Sequence, residues 1–316
     1  MTTTATLDLA MLQKGGKGHI ARALSALEEH PGDPEVARLL DEASAAAKGT
    51  VLGLTGPPGV GKSTFTNALI ARIRARDQSV AVIAVDPSSR RSGGALLGDR
   101  TRIETDPEDS GVFVRSMAAR NRLGGVADLT YPAAVLMRAL FDWVIVETVG
   151  VGQSETEIVD CSDLVVFCAQ PGSGDALQFM KAGIMEVPDV VLVTKGDMGA
   201  IARRAAADVK GALSLAADDA GSVGIAIVSA QSGDGLEEAL DLIASLARKK
   251  QDAGHMNDRR SLQHRIWAES QLVQTLGNAG LSMLKNRLSR TELHFSEVSD
   301  LTNRVSVKLR AVLETL

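Results

Sequence analysis

The stretch GLTGPPGVGKSTFTNALI, residues 53–70, decides the fold. Within it Gly56, Pro57, Pro58, Gly59, Val60, Gly61, Lys62 and Ser63 follow the spacing G-x-x-x-x-G-K-[ST]. Glycines let such a loop curl until its N–H groups face a phosphate chain. Lys62 is placed to meet the terminal phosphates as a point charge, and the Ser63 hydroxyl to ligate Mg²⁺. The helix that follows adds its positive N-terminal end to the same anion. Context supports this reading. The apolar run Val51–Leu54 enters the loop as a strand, and Phe65, Leu69 and Ile73 leave it at helical spacing. A nucleotide site is the consequence.

Outward from this unit, short apolar runs alternate with helical stretches. Strands are expected near 50–55, 80–85, 143–148, 163–169, 189–194 and 223–228, with a shorter one near 111–114. VAVIAV, WVIVE, LVVF and VVLV are apolar throughout rather than alternating, as strands covered on both faces of a parallel sheet are. The expected fold is α/β, a doubly wound, mostly parallel sheet over 50–250. A helical extension at 1–49 precedes it, in which Ile20, Leu24 and Leu27 share a face and Asp33-Pro34 caps a second helix. Polar residues 250–258 (KQDAGHMND) read as a linker into a helical arm at 251–316. That arm either caps the sheet or pairs two copies.

The chain has 316 residues, 45% of them hydrophobic and 23% charged, an ordinary globular balance. Aromatics are 3%, so the core must be built from Ala, Val, Leu and Ile. A net charge of −5 argues against a nucleic-acid partner. Cys161 and Cys168 suit buried thiols better than a disulfide or metal pair. No apolar stretch is long enough to span a bilayer, and MTTTATLDLA lacks a signal pattern. A cytoplasmic protein without a membrane role is expected.

Three later segments complete a nucleotide switch. Asp86 ends a strand and opens a glycine-rich loop, where it or Asp99 can hold Mg²⁺. Glu147 ends another buried strand, followed by Gly150, whose N–H can sense a γ-phosphate. Val151 follows that glycine, so no glutamine stands directly after it, and Glu147, Gln153 and Asp99 are the candidates for activating water. Thr194-Lys195-Gly196-Asp197 fits the [NT]-K-x-D spacing. There a lysine lies along the base and Asp197 accepts from guanine N1 and the exocyclic amine, donors that adenine lacks as a pair. Ser229-Ala230-Gln231 sits where a backbone N–H can meet guanine O6. GTP and GDP are thus the expected ligands.

The segments at 53–70, 85–103 (VDPSSRRSGGALLGDRTRI), 112–125 (VFVRSMAARNRLGG), 141–155 (FDWVIVETVGVGQSE) and 171–183 (PGSGDALQFMKAG) resemble the MeaB/ArgK-type GTPases associated with methylmalonyl-CoA mutase. The resemblance implies a slow GTPase chaperone that gates cofactor loading and protects an adenosylcobalamin-dependent acyl-CoA mutase, working as a homodimer held by helical extensions. It implies phosphate contacts from Gly56 to Thr64, Mg²⁺ at Ser63, Asp86 and Asp99, Glu147 in the second switch, and guanine contacts at Asp197 and Ser229–Gln231. A third switch, matching Gly174-Asp175 to Lys181, would couple the site to the mutase through Asp175, Gln178 and Lys181. Thr194 departs from the family's usual asparagine, and Arg90, Arg91 and Asn121 are also less usual. A kinase supporting basic amino-acid transport and a nickel-delivery GTPase are the alternatives. The first needs an acceptor base, and the second a His or Cys cluster, whereas His19, His30, His255, His264 and His294 are scattered.

Overall fold

The computed structural model describes residues 7–87, 103, 105–119, 129–148, 157–172, 188–216, 223–288 and 293–313. In chain order these contain α1 (Leu9–Glu29), α2 (Pro34–Ala45), β1 (Thr50–Thr55), α3 (Lys62–Ala75), β2 (Val80–Pro87), β3 (Val112–Ala119), α4 (Thr130–Leu140) and β4 (Trp143–Glu147). There follow β5 (Leu164–Ala169), β6 (Val190–Val193), α5 (Ala200–Ala216), β7 (Gly224–Ile227), α6 (Leu236–Asp252), α7 (His255–Leu288) and α8 (Phe295–Leu313). The seven strands form one sheet in the order β3-β2-β4-β1-β5-β6-β7, and every pairing is parallel.

Alternate residues of each strand enter two different cores, which is why the strands read as unbroken apolar runs. Ala81, Ile83 and Val85 of β2 face one layer with Val144 and Val146 of β4. Val80, Val82 and Ala84 face the other with Trp143 and Ile145. The second layer is closed by Phe65, Leu69 and Ile73 of α3 and by Leu236, Leu240, Ile243 and Ala247 of α6. On the first face α4 lies against the sheet and is itself covered by α1, α2 and Phe295 of α8, so Thr130 through Ala139 are all buried. Residues of both terminal extensions therefore join the core of their own chain over α4. Beneath β5 and β6, Val209 of α5 packs on Phe167 and Val191.

Two expectations change. The strand expected near 111–114 runs the full eight residues of β3, in register with β2 from Val80↔Val112 to Pro87↔Ala119. It alternates less clearly because it is an edge strand carrying Arg115, whose guanidinium meets Glu28 of α1 at 2.7 Å. The stretch 250–258 is not a linker: α6 continues to Asp252 and α7 starts at His255, leaving a break of Ala253 and Gly254. Its polar residues are the outer face of helices whose inner face carries Ala247 and Met256. No helix among the described residues is long and apolar enough to cross a membrane.

The upstream edge of the sheet is pinned by a repeated device. Asp142, Asp163 and Asp189 each immediately precede a strand, and each carboxylate accepts the N–H at the start of the neighbouring strand. Ser79 N donates to Asp142, Val51 N to Asp163 and Val165 N to Asp189, all at 2.8 Å. Burial alone would raise the Asp142 carboxyl, but the Ser79 N–H and hydroxyl outweigh it and hold it below its ordinary range. The Asp163 side chain is fully buried and is met by both nitrogens of an Arg260 fork at 2.7 Å. Arg260 also donates to Gly49 O at 2.8 Å, which fastens α7 to the start of β1. A second long-range tie joins the termini, where Asp41 of α2 accepts from Phe295 N at 2.7 Å and Ser296 N at 3.1 Å and so caps α8.

Removing one partner of a buried ion pair strands the other charge. Asp163→Ala is expected to lower the unfolding free energy by about 3–5 kcal/mol in urea titration. The double variant with Arg260→Met should cost less than the sum of the two single changes.

Candidate nucleotide site

The strands are parallel, so their C-terminal ends open on one edge, the usual crevice for ligands in such sheets. The segments singled out in the sequence fall there: the loop after β1, Asp86 at the end of β2, Glu147 at the end of β4, Thr194 after β6 and Ser229 after β7.

The loop from Gly56 to Gly61 curls through positive φ at Gly56 (138°), Gly59 (73°) and Gly61 (103°). At Gly56 the need for glycine is also steric, since a Cβ would stand 2.4 Å from the carbonyl oxygen of Cys168. The start of the loop thus lies close against the backbone of β5. Burial pushes the Cys168 thiol up to about 12 against the pull of the Lys62 ammonium, so it is a neutral packing group. Gly61 is the N-cap of α3 and supplies no side-chain acceptor, leaving the first-turn N–H groups available to an anion. Lys62 is buried, and its ammonium donates to Gly56 O at 2.6 Å and Pro57 O at 3.1 Å, spanning the mouth of the loop. Pro58, Gly59 and Thr64 are exposed along the rim.

Glu147 shares the parity of Trp143 and Ile145 on β4, so it faces the α3 layer. A carboxylate there needs donors. Ser63 Oγ supplies one at 2.6 Å and Thr66 Oγ1 another at 2.9 Å. This cluster of oxygens suits a hard cation such as Mg²⁺. The backbone of Asp86 lies two residues beyond Ala84, the residue opposite Glu147.

The two segments expected to read the base are brought together by the β6–β7 pairing. Val228 N donates to Val193 O, and Gly196 N donates to Val228 O, both at 2.9 Å. Asp197 accepts from the fully buried Ser229 hydroxyl at 2.8 Å, which fixes its carboxylate next to the Ser229–Gln231 turn. Ala230 is half-buried and Gln231 exposed. Lys195 adopts a left-handed backbone (φ 53°), uncommon for a side-chain-bearing residue, and its ammonium donates to Gln170 Oε1 at 2.9 Å. Thr194 closes the circuit, its hydroxyl directed at Val60 O, 2.8 Å away, in the phosphate loop and at Ala169 O, 3.1 Å away. The departure from asparagine at this position therefore still leaves a donor that ties the two halves of the site together.

Asp99, Gly150, Gln153, Asp175, Gln178 and Lys181 lie outside the described residues, as do Arg90, Arg91 and Asn121. Two site residues, Thr66 and Gln170, and the bridging role of Thr194 were missed by sequence reading. Thr66 sits one helical turn from Ser63 and was legible from that spacing alone. Gln170 and the bridging role of Thr194 depend on strand order, which no local motif carries.

Comparison with known proteins agrees with this geometry. The family described as methylmalonyl-CoA mutase-associated GTPase MeaB matches residues 20–282. A GTPase-named protein of Pyrococcus abyssi is 44% identical over 189 residues, 59% of this chain and 57% of its own length. The mouse protein named "Methylmalonic aciduria type A homolog, mitochondrial" is 35% identical over 274 residues, 81% of this chain and 66% of its own. The alignments thus span less than two thirds of either relative. A solved structure named as a LAO/AO transport system kinase superposes with a TM-score of 0.68 at 27% identity, covering 96% of this chain and 99% of the other. With its phosphate loop, its all-parallel sheet and a match across residues 20–282, the chain belongs to the MeaB family of P-loop GTPases.

Proposed function

We propose that this GTPase is a nucleotide-driven chaperone for an adenosylcobalamin-dependent acyl-CoA mutase, gating cofactor loading and protecting the mutase. The observation that carries the switch reading is the 2.6 Å hydrogen bond between Ser63, in the phosphate-binding unit, and Glu147, at the head of the segment leaving β4. A change at the phosphates reaches that segment through one contact. The family's description and the mouse relative's name support the mutase class of partner.

In this reading the N–H groups of Gly56–Thr64 grip the triphosphate, and Lys62 offsets charge that grows on the transferring phosphoryl group. Asp197 selects guanine by accepting two hydrogen bonds, with Lys195 along the ring and the Ser229–Gln231 turn at O6. Ser63, Asp86 and Asp99 would hold Mg²⁺, which when bound neutralises and orients the phosphate oxygens. Gly150 senses the γ-phosphate, Glu147, Gln153 or Asp99 orients water, and Asp175, Gln178 and Lys181 carry the state to the partner. Exposed Leu262, Ile266 and Met283 on α7 support the pairing of two copies through the helical arm.

Lys62→Ala should slow GTP hydrolysis by about 10²–10³-fold while leaving the melting temperature within a few degrees of the parent, because it removes a charge from the site and little packing. Asp197→Asn replaces an acceptor pair by a group that also donates. It is expected to weaken GTP binding by about 10²-fold or more and to improve binding of xanthosine triphosphate, as calorimetry would read directly. The partner is tested by adding purified cobalamin-dependent mutases and following GTP turnover. The chaperone reading expects a several-fold rise with one of them. No change with any of them would end that reading and leave nucleotide binding standing, whereas γ-phosphate appearing on a protein or amino-acid acceptor would replace it with a kinase.

A further inference from the structure

The buried face of α3 is made of Lys62, Phe65, Thr66, Leu69, Ile70 and Ile73. Leu69, Ile70 and Ile73 belong to the apolar layer over the sheet, and Thr66 shares their stripe at helical spacing. A side chain at such a position is expected to be apolar, yet Thr66 carries a hydroxyl and is fully buried. Valine would fill nearly the same shape without a polar group to satisfy, whereas a buried hydroxyl needs a partner. Thr66 has one in Glu147, to whose Oε2 it donates at 2.9 Å.

The carboxylate needs donors in turn. Glu147 is buried, and its neighbours in the sheet are Leu54 of β1 and Ala84 of β2, neither of which has a polar side chain. The two hydroxyls of α3 divide the carboxylate between them. Half-buried Ser63 donates to Oε1 at 2.6 Å, and Thr66, one turn further into the helix, donates to Oε2. The last torsion of a glutamate is broad when left to itself. A donor on each oxygen fixes the plane of the group. It also commits the Ser63 proton to Oε1, which leaves the lone pairs of that hydroxyl for a cation.

We propose, on the reading of Ser63 as an Mg²⁺ ligand, that Thr66 is a positioning residue of the metal site. Its hydroxyl holds the inner oxygen of Glu147, so that the outer oxygen keeps Ser63 turned as a ligand. Groups that orient a ligand from behind typically carry about 10–100-fold in metal affinity. Thr66 has no exposed surface, so its influence on a bound nucleotide passes through Glu147 and Ser63.

The test is GDP binding by calorimetry over a series of free Mg²⁺ concentrations, with EDTA as the metal-free limit. Thr66→Val should need about 10–100-fold more Mg²⁺ than the parent to reach half of the metal-induced tightening. Its affinity in EDTA should stay within about twofold, and Thr66→Ser, which restores the hydroxyl, should recover the parent midpoint within about threefold. A role in packing alone would lower the melting temperature and leave the Mg²⁺ midpoint in place. Thr66→Ala is read in the same way if the valine variant folds poorly. In a Glu147→Gln background, Thr66→Val should add little to the shift, because the two side chains act as one unit. Ser63→Ala removes the ligand itself and separates the role of Thr66 from the reading of the metal site. A midpoint moved by Ser63→Ala but not by Thr66→Val would overturn the role of Thr66 and leave the metal site standing. A midpoint that Ser63→Ala leaves in place would overturn both. Additive shifts with Glu147→Gln, a serine variant that does not recover, or an equal loss of affinity in EDTA would each overturn the role of Thr66.

Discussion

A parallel sheet buried on both faces is the constraint from which the rest of this molecule follows. Parallel strands need crossovers, crossovers carry helices, and helices on both sides leave no residue of the central strands in water. β1, β4, β5 and β6 are apolar at almost every position for that reason, and the few polar groups in them or directly beside them must find partners. Glu147 finds Ser63 and Thr66, Asp163 finds Arg260 and Val51 N–H, and Thr194 finds Val60 O. The nucleotide site is the set of places on one edge where this rule is met by loops instead of strands.

The two edges of the sheet are built on different principles. The upstream edge uses carboxylates to accept backbone N–H groups and to hold arginine or lysine from the C-terminal helices: Asp163 holds Arg260, and Asp189 holds Lys250 and Arg259. The downstream edge uses glycine conformations to shape its loops and hydroxyls to hold its carboxylates, Ser63 and Thr66 on Glu147 and Ser229 on Asp197.

Much of this was legible beforehand. The phosphate loop, Asp197 and Ser229 declare themselves because each rests on a local spacing next to an apolar strand, and the structure places the last two within one hydrogen bond. Helices α1 and α2 were readable from Ile20, Leu24, Leu27 and the Asp33-Pro34 cap, whose carboxylate accepts from Glu35 N. The break between α6 and α7 was misread because polar composition marks an exposed helix face as readily as a linker. The aspartate device had a signal that was overlooked: Asp142, Asp163 and Asp189 each stand one residue before an apolar strand. What remained out of reach depends on which strands become neighbours. Gln170 meets Lys195, and the Gly56 backbone meets Cys168, only because β5 lies between β1 and β6.

The clamp of Arg260 on Asp163 and Gly49 has a mechanical consequence. It grips the chain immediately before β1, and the phosphate loop begins immediately after β1. A six-residue strand of about 17–20 Å therefore separates this anchorage of the C-terminal arm from the phosphate loop. Flanked by paired strands on both sides, it behaves as a stiff strut of set length. Any body that holds the arm stands at a measured remove from the phosphates.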